Sequence, residues 1–150
     1  MIEYITASPA QTAATAKKLA PLLPPPPFAI HLHGELGTGK TLWARALIQE
    51  LGGIRAPSPS FALVFSYQLS ALPVHHLDLF RLPQGTILPD DLWEILHDDA
   101  LCLVEWPERA EDLPPPDVRL TLQTNKDETR RLFFCGDSEK GETCLRAFSS

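Results

Sequence analysis

The chain has no long apolar stretch. Its longest uninterrupted apolar runs are Phe61–Phe65 and Ala100–Val104, far short of the roughly 18 residues a membrane-crossing helix needs. No stretch resembles a signal peptide. Cysteine is scarce: Cys102, Cys135 and Cys144 are odd in number and form no CxxC pair. A disulfide framework and a zinc site therefore lack support, and the expectation is a cytoplasmic protein with reduced thiols. Positive charge is also short. Lys plus Arg is 13 against 19 for Asp plus Glu, a net charge of -6. Nucleic-acid and anionic-membrane binding draw on Lys and Arg, so direct contact with either is disfavoured. No internal repeat is visible.

What remains is an ordinary globular composition, 44% hydrophobic and 21% charged. Disorder, collagen and coiled coil are excluded as whole-chain readings. A length of 150 residues suits one domain over 1–150 with its own core. The one excess is proline, 15 residues, about twice average usage. Seven of them fall in Pro24–Pro27 and Pro114–Pro116.

Read in order, the first expected element is a helix. Ser8 is its N-cap, Pro9 its first residue and Gln11 completes a capping box, with alanine-rich sequence to about Ala20. Pro24–Pro27 predicts an extended polyproline connector. Phe28–His33 reads as a strand broken at Gly34. Lys40–Leu51 reads as a helix with Trp43, Leu47 and Leu51 on one face, stopped by Gly52-Gly53. Phe61–Tyr67 and Val74–Leu79 predict strands, and Asp90/Asp91 opens a short helix through Leu96. Ala100–Val104 is apolar throughout, as a strand buried on both faces requires. Val118–Gln123 and Arg130–Cys135 predict a hairpin across Asn125-Lys126-Asp127. From Gly136 the chain is polar and reads as a poorly structured tail. The sum is an α/β fold: a three-layer, P-loop NTPase-like domain with a mixed, mainly parallel sheet flanked by helices and a C-terminal hairpin.

The chemistry lies in Gly34-Glu35-Leu36-Gly37-Thr38-Gly39-Lys40-Thr41, which matches GxxxxGK[ST] at every position. The glycines let backbone N–H groups wrap a phosphate. The next helix adds its unpaired N-terminal N–H groups and positive dipole end. Lys40 reaches β- and γ-phosphates, and the Thr41 hydroxyl suits Mg2+. The strand before and amphipathic helix after supply the required context. Hydrolysis needs further carboxylates. Asp78 and Glu105 each close a strand, where ligands of open α/β sheets gather. Asn125-Lys126-Asp127-Glu128 nearly spells the guanine-reading NKxD, but Glu128 stands where Asp is needed. It reads as turn chemistry.

With these residues in view the chain resembles the TsaE (YjeE) family of small P-loop ATPases in tRNA threonylcarbamoyladenosine (t6A) synthesis. Four ordered motifs carry the resemblance over about Ile5 to Arg131. They are Gly34–Thr41, Ser58-Pro59-Ser60-Phe61-Ala62-Leu63-Val64 (similar to SPT[FY]xLV), His76-Leu77-Asp78-Leu79-Phe80-Arg81 (similar to HxDLYR), and Leu103-Val104-Glu105-Trp106-Pro107-Glu108 (similar to LVEWPE). The resemblance implies a cytoplasmic, Mg2+-dependent ATPase binding ATP and ADP, weak alone and active with a TsaB–TsaD complex. That complex places threonylcarbamoyl on adenosine 37 of tRNA, so tRNA is met only through partners and no membrane is involved. By the same resemblance Gly34, Glu35, Leu36, Gly37, Thr38, Gly39, Lys40, Thr41, Ser60 and Arg130 bind nucleotide. Thr41, Glu105 and Asp78 lie near Mg2+. Lys40, Glu105 and Asp78 are catalytic, with Glu105 also positioning the attacking water. Trp106 is implied as a partner or nucleotide-sensing contact. Ser60 replaces the family's threonine and Phe80 its tyrosine.

Plainer readings compete elsewhere. Trp43 and Trp93 read as core or half-buried aromatics. His31, His33, His75 and His76 alternate with apolar residues as strand faces do, with no metal spacing among them. Arg81 suits an ion pair with a nearby acid at least as well as a phosphate contact, and Cys102 suits an inert core thiol. Two other functions stay open: a small-molecule kinase, which needs a lid that Pro83–His97 is too short to supply, and a non-hydrolysing nucleotide-dependent adaptor.

Overall fold

A computed structural model describes residues 1–53, 63–69 and 72–150. Its first element corrects the sequence expectation, because a strand, β1 (Ile2–Thr6), precedes the first helix. Ile5 faces solvent and Ile2 and Tyr4 are only half-buried, so this edge strand carries little apolar signal. Helix α1 (Pro9–Leu19) follows as expected. Ser8 Oγ accepts from the Gln11 N–H at 3.1 Å. The Gln11 side chain accepts from the N–H of Ala7, one residue before the cap that a standard box would use. The proline connector differs from a continuous extended run: residues 25–27 bend and the Pro26–Pro27 peptide is cis.

Then come β2 (Phe28–His33), α2 (Lys40–Glu50), β3 (Val64–Gln68), β4 (Pro73–Asp78), α3 (Asp90–Leu96), β5 (Leu101–Glu105), β6 (Val118–Thr124), β7 (Arg130–Gly136) and α4 (Glu139–Phe148). The first two positions expected of β3, Phe61 and Ala62, lie outside the described residues. The described strands form one sheet in the order β1-β7-β6-β2-β5-β4-β3. Its centre, β6-β2-β5-β4, is parallel, and its flanks are antiparallel. The mixed, mainly parallel sheet and the β6–β7 hairpin match the sequence reading.

Two apolar clusters cover the two faces. One joins α1, α2 and α4 to Ile30, Leu32, Leu101, Leu103 and Phe134; the other joins Leu92 of α3 to Leu77 and Val104. Successive strand residues point to opposite faces, so all of β5 is buried. Odd-numbered β5 residues face α2 and Val104 faces α3. Trp43 is fully buried and its indole N–H donates to Thr15 Oγ1 at 2.9 Å, tying α2 to α1.

The segment after Gly136 is an ordered helix, which corrects its reading as a tail. Ser138 caps it by accepting from the Gly141 N–H at 3.0 Å. Gly141, Cys144, Leu145 and Phe148 are buried at i, i+3, i+4 and i+7, the spacing of one helix face. Phe148 meets Phe134 at 4.9 Å and Tyr4 at 5.3 Å between ring centroids.

Candidate functional site

The loop 34–39 leaves the carboxyl end of β2 and enters α2 at Lys40, with Gly39 at φ 107 as the cap residue. Gly34 is required for space as well as conformation. A Cβ there would lie 2.6 Å from Leu122 O and 2.8 Å from Thr38 Oγ1. The buried Thr38 donates to Glu35 O at 2.9 Å and closes the turn. Lys40, also buried, donates to the carbonyls of Gly34 and, at 3.0 Å, Glu35. Burial lowers its pKa, while Glu105, Glu108, Asp78 and Glu35 pull it back up.

Both sequence-selected carboxylates reach this loop. Asp78 and Glu105 are register partners on β4 and β5, so both point to the α2 face. Glu105 is only 2% exposed. Thr41 Oγ1 donates to Glu105 Oε1 at 2.7 Å, and His76 Nε2–H donates to Glu105 Oε2 at 2.6 Å. Burial raises the Asp78 pKa. The Phe80 N–H bonded to its carboxylate at 3.1 Å opposes that shift, and neighbouring Glu105 adds to it. A cleft of about 290 Å³ is lined by residues 36–41 with Asp78, Glu105, Phe80 and Trp106. The donors gathered here are one hydroxyl and two carboxylates. That all-oxygen set fits Mg2+, which takes one or two carboxylates and completes its shell with phosphate oxygens and water.

Trp106 turns the chain sharply, in a left-handed conformation at φ 57, which is costly for a residue with a side chain. The turn brings its ring to 4.1 Å from Lys40 Nζ and 4.9 Å from the Phe80 ring. Arg109 lies 5.3 Å from both rings. Arg130 approaches the loop from the other side. Its Nε donates to Thr38 O and its Nη2 to Gly37 O, both at 3.2 Å. A second cleft of about 280 Å³ opens there, between the loop, the start of α1 and Arg130. Ser60 lies outside the described residues, with the rest of Ser58-Pro59-Ser60-Phe61-Ala62.

The residue that sequence reasoning missed is His76. It read as an ordinary strand-face histidine. The overlooked signal is parity: His76 and Asp78 lie two apart on one strand and so share a face. His75 points to the opposite face, where it bonds Ser66 Oγ at 2.8 Å and Asp98 at 2.9 Å. The Asn125–Asp127 segment is turn chemistry as read. Asn125 N–H donates to Thr129 O at 2.8 Å, and Asp127 accepts from the Thr129 N–H and hydroxyl.

A parallel-centred sheet whose inner strand β2 runs through a GxxxxGKT loop into a helix defines a P-loop NTPase-like protein. The comparisons narrow the class. The family model described as "Threonylcarbamoyl adenosine biosynthesis protein TsaE" matches residues 6–132. The tRNA threonylcarbamoyladenosine biosynthesis protein TsaE of Bacillus subtilis is 31% identical over 99% of this chain and 94% of its own length. The protein of that name from Rickettsia felis is 34% identical over 81% of this chain and 72% of its own. The crystal structure of Bacillus subtilis YdiB superposes with a TM-score of 0.80 at 28% identity, covering 99% of this chain and 93% of that one. The chain belongs to the TsaE family of threonylcarbamoyl adenosine biosynthesis proteins.

Proposed function

We propose that this chain is the ATP-binding and ATP-hydrolysing subunit of t6A37 formation on tRNA, working in the cytoplasm with a TsaB–TsaD complex. The observation that carries the ATPase reading is Glu105. A buried carboxylate at a strand end is bonded at 2.7 Å to the hydroxyl of the P-loop's last residue. Among the described residues no helix is long and apolar enough to cross a membrane. The net charge of -6 favours reaching tRNA through partners over gripping it directly.

The chain's own groups divide the work. The loop N–H groups and the N-terminus of α2 bind the β- and γ-phosphates. Lys40 exchanges the Gly34 and Glu35 carbonyls for phosphate oxygens. Thr41, Glu105 and Asp78 would hold Mg2+, which when bound neutralises charge developing on the phosphates. Glu105 also orients the attacking water, in line with the leaving group. Arg130 fastens the outer side of the loop, and Ser60 adds a hydroxyl from the segment after α2. The cleft beside α1 takes the remainder of the nucleotide, and Trp106 reports its presence through Lys40.

The test is phosphate release, with and without TsaB–TsaD, from the wild-type chain and Glu105→Ala. Partner-stimulated release that collapses in the variant supports the proposal. Phosphate appearing on an added small metabolite would replace it with a kinase. ATP binding without release under any condition would replace it with an adaptor.

A further inference from the structure

We propose that His76 is a positioning residue for Glu105. Its Nε2–H holds one carboxylate oxygen so that the other faces Thr41 and a divalent cation bound with the nucleotide phosphates. The inference rests on the reading of Glu105 given above.

The backbone register brings the two together. His76 pairs with Leu103 in the parallel ladder, two residues before Glu105 and on the same face. Its ring therefore reaches diagonally to the end of β5. His76 and Glu105 are 5% and 2% exposed. At that depth an unpartnered carboxylate is costly, so a pair this buried has its geometry set by the fold rather than by solvent. The two oxygens of Glu105 are each claimed once: Oε1 by Thr41 at 2.7 Å and Oε2 by His76 at 2.6 Å. Rotation of the carboxylate would break both bonds together. His76 is backed by Phe65, its register partner on β3, whose ring centroid lies 6.2 Å away. Carboxylate ligands held in this way by a second side chain are better ordered toward a cation than free ones.

A structural role alone would require only that Glu105 have some partner. A positioning role requires a donor at the place of Nε2. The experiment separates them with purified full-length chain. ATP affinity is measured by calorimetry across an Mg2+ titration and again in EDTA, for wild type, His76→Leu, His76→Gln and His76→Asn. Thermal unfolding is followed in parallel to confirm that each variant folds. Gln places an amide N–H near the Nε2 position, whereas Asn is too short.

The expected result for His76→Leu is a rise of about 10–100-fold in the Mg2+ concentration that half-saturates the effect. Its ATP affinity in EDTA stays at the wild-type level. His76→Asn follows His76→Leu, and His76→Gln recovers most of the loss. Equal losses in the Gln and Leu variants would overturn the proposal, as would no Mg2+ shift in any variant or a parallel fall of affinity in EDTA. If wild-type ATP affinity is itself indifferent to Mg2+, the reading of Glu105 falls, and the role of His76 with it.

Discussion

A methyl group added at Gly34 tests the geometry of the loop most directly. Its Cβ would sit 2.6 Å from Leu122 O, a backbone atom, where 3.0 Å is the practical floor for such contacts. It would also lie 2.8 Å from Thr38 Oγ1, which cannot swing away without releasing its bond to Glu35 O. The φ of +149° adds conformational strain. Backbone strain of this kind costs ~1–3 kcal/mol and forced overpacking another ~1–3 kcal/mol. Gly34→Ala should thus lose about 2–6 kcal/mol. In a chain of this size each kcal/mol lowers Tm by roughly 2–4 °C, so a drop of about 4–24 °C is expected. Gly37→Ala is the control. Gly37 also has positive φ, +78°, but an added Cβ there meets nothing within 4 Å. Only the conformational part remains, about 1–2 kcal/mol, or roughly 2–8 °C. Thermal unfolding of both variants by circular dichroism measures the difference. Equal Tm losses, or Gly34→Ala melting with wild type, would refute the argument that β6 crowds this position.

The C-terminal helix gives a second expectation. Phe148→Ala should cost about 3–5 kcal/mol in urea unfolding, because its fully buried ring meets Phe134 and Tyr4; a loss near zero would mean that α4 does not dock in solution. A third concerns pH. Burial, helped by His33 and opposed by Asp137, lowers the His31 pKa from 6.5 to about 3. The unfolded chain therefore binds a proton that the folded chain refuses between these values. Stability is full above the unfolded pKa and is lost as pH falls from about 6.5 toward 3, by roughly 1.4 kcal/mol per pH unit. His31→Leu should flatten the dependence of unfolding free energy on pH in that window; an unchanged slope would show that His31 is not the group responsible.

The legible parts of the fold were those whose signal is local. Ser8-Pro9 opened α1, the apolar run Ala100–Val104 marked the buried strand, and the turn residues Asn125–Asp127 marked the hairpin. The parts missed were local too, but weak. β1 is an edge strand with Ile5 in solvent, so its apolar face looked incomplete. α4 carries a serine cap and an i, i+3, i+4, i+7 face, but Glu139, Lys140, Glu142 and Thr143 dilute it. The cis Pro26–Pro27 bond has no signature that distinguishes it from its trans neighbours.

The sequence alone determined the family and the loop. GxxxxGKT, and two acids each closing a strand, are spacings that a single chain displays on its surface as text. It also determined that both carboxylates belong at strand ends. It did not determine their neighbours. Whether Asp78 lies beside Glu105 depends on β4 pairing in parallel with β5, a contact between residues 27 apart. The same register carries His76 beneath Glu105 and turns His75 away to Asp98. Strand order and register are set by how the faces of the whole sheet are covered, a property of the assembled chain. The left-handed turn at Trp106 is likewise a tertiary decision, since nothing local favours it and the packing of its ring against Phe80, Lys40 and Arg109 offsets the cost.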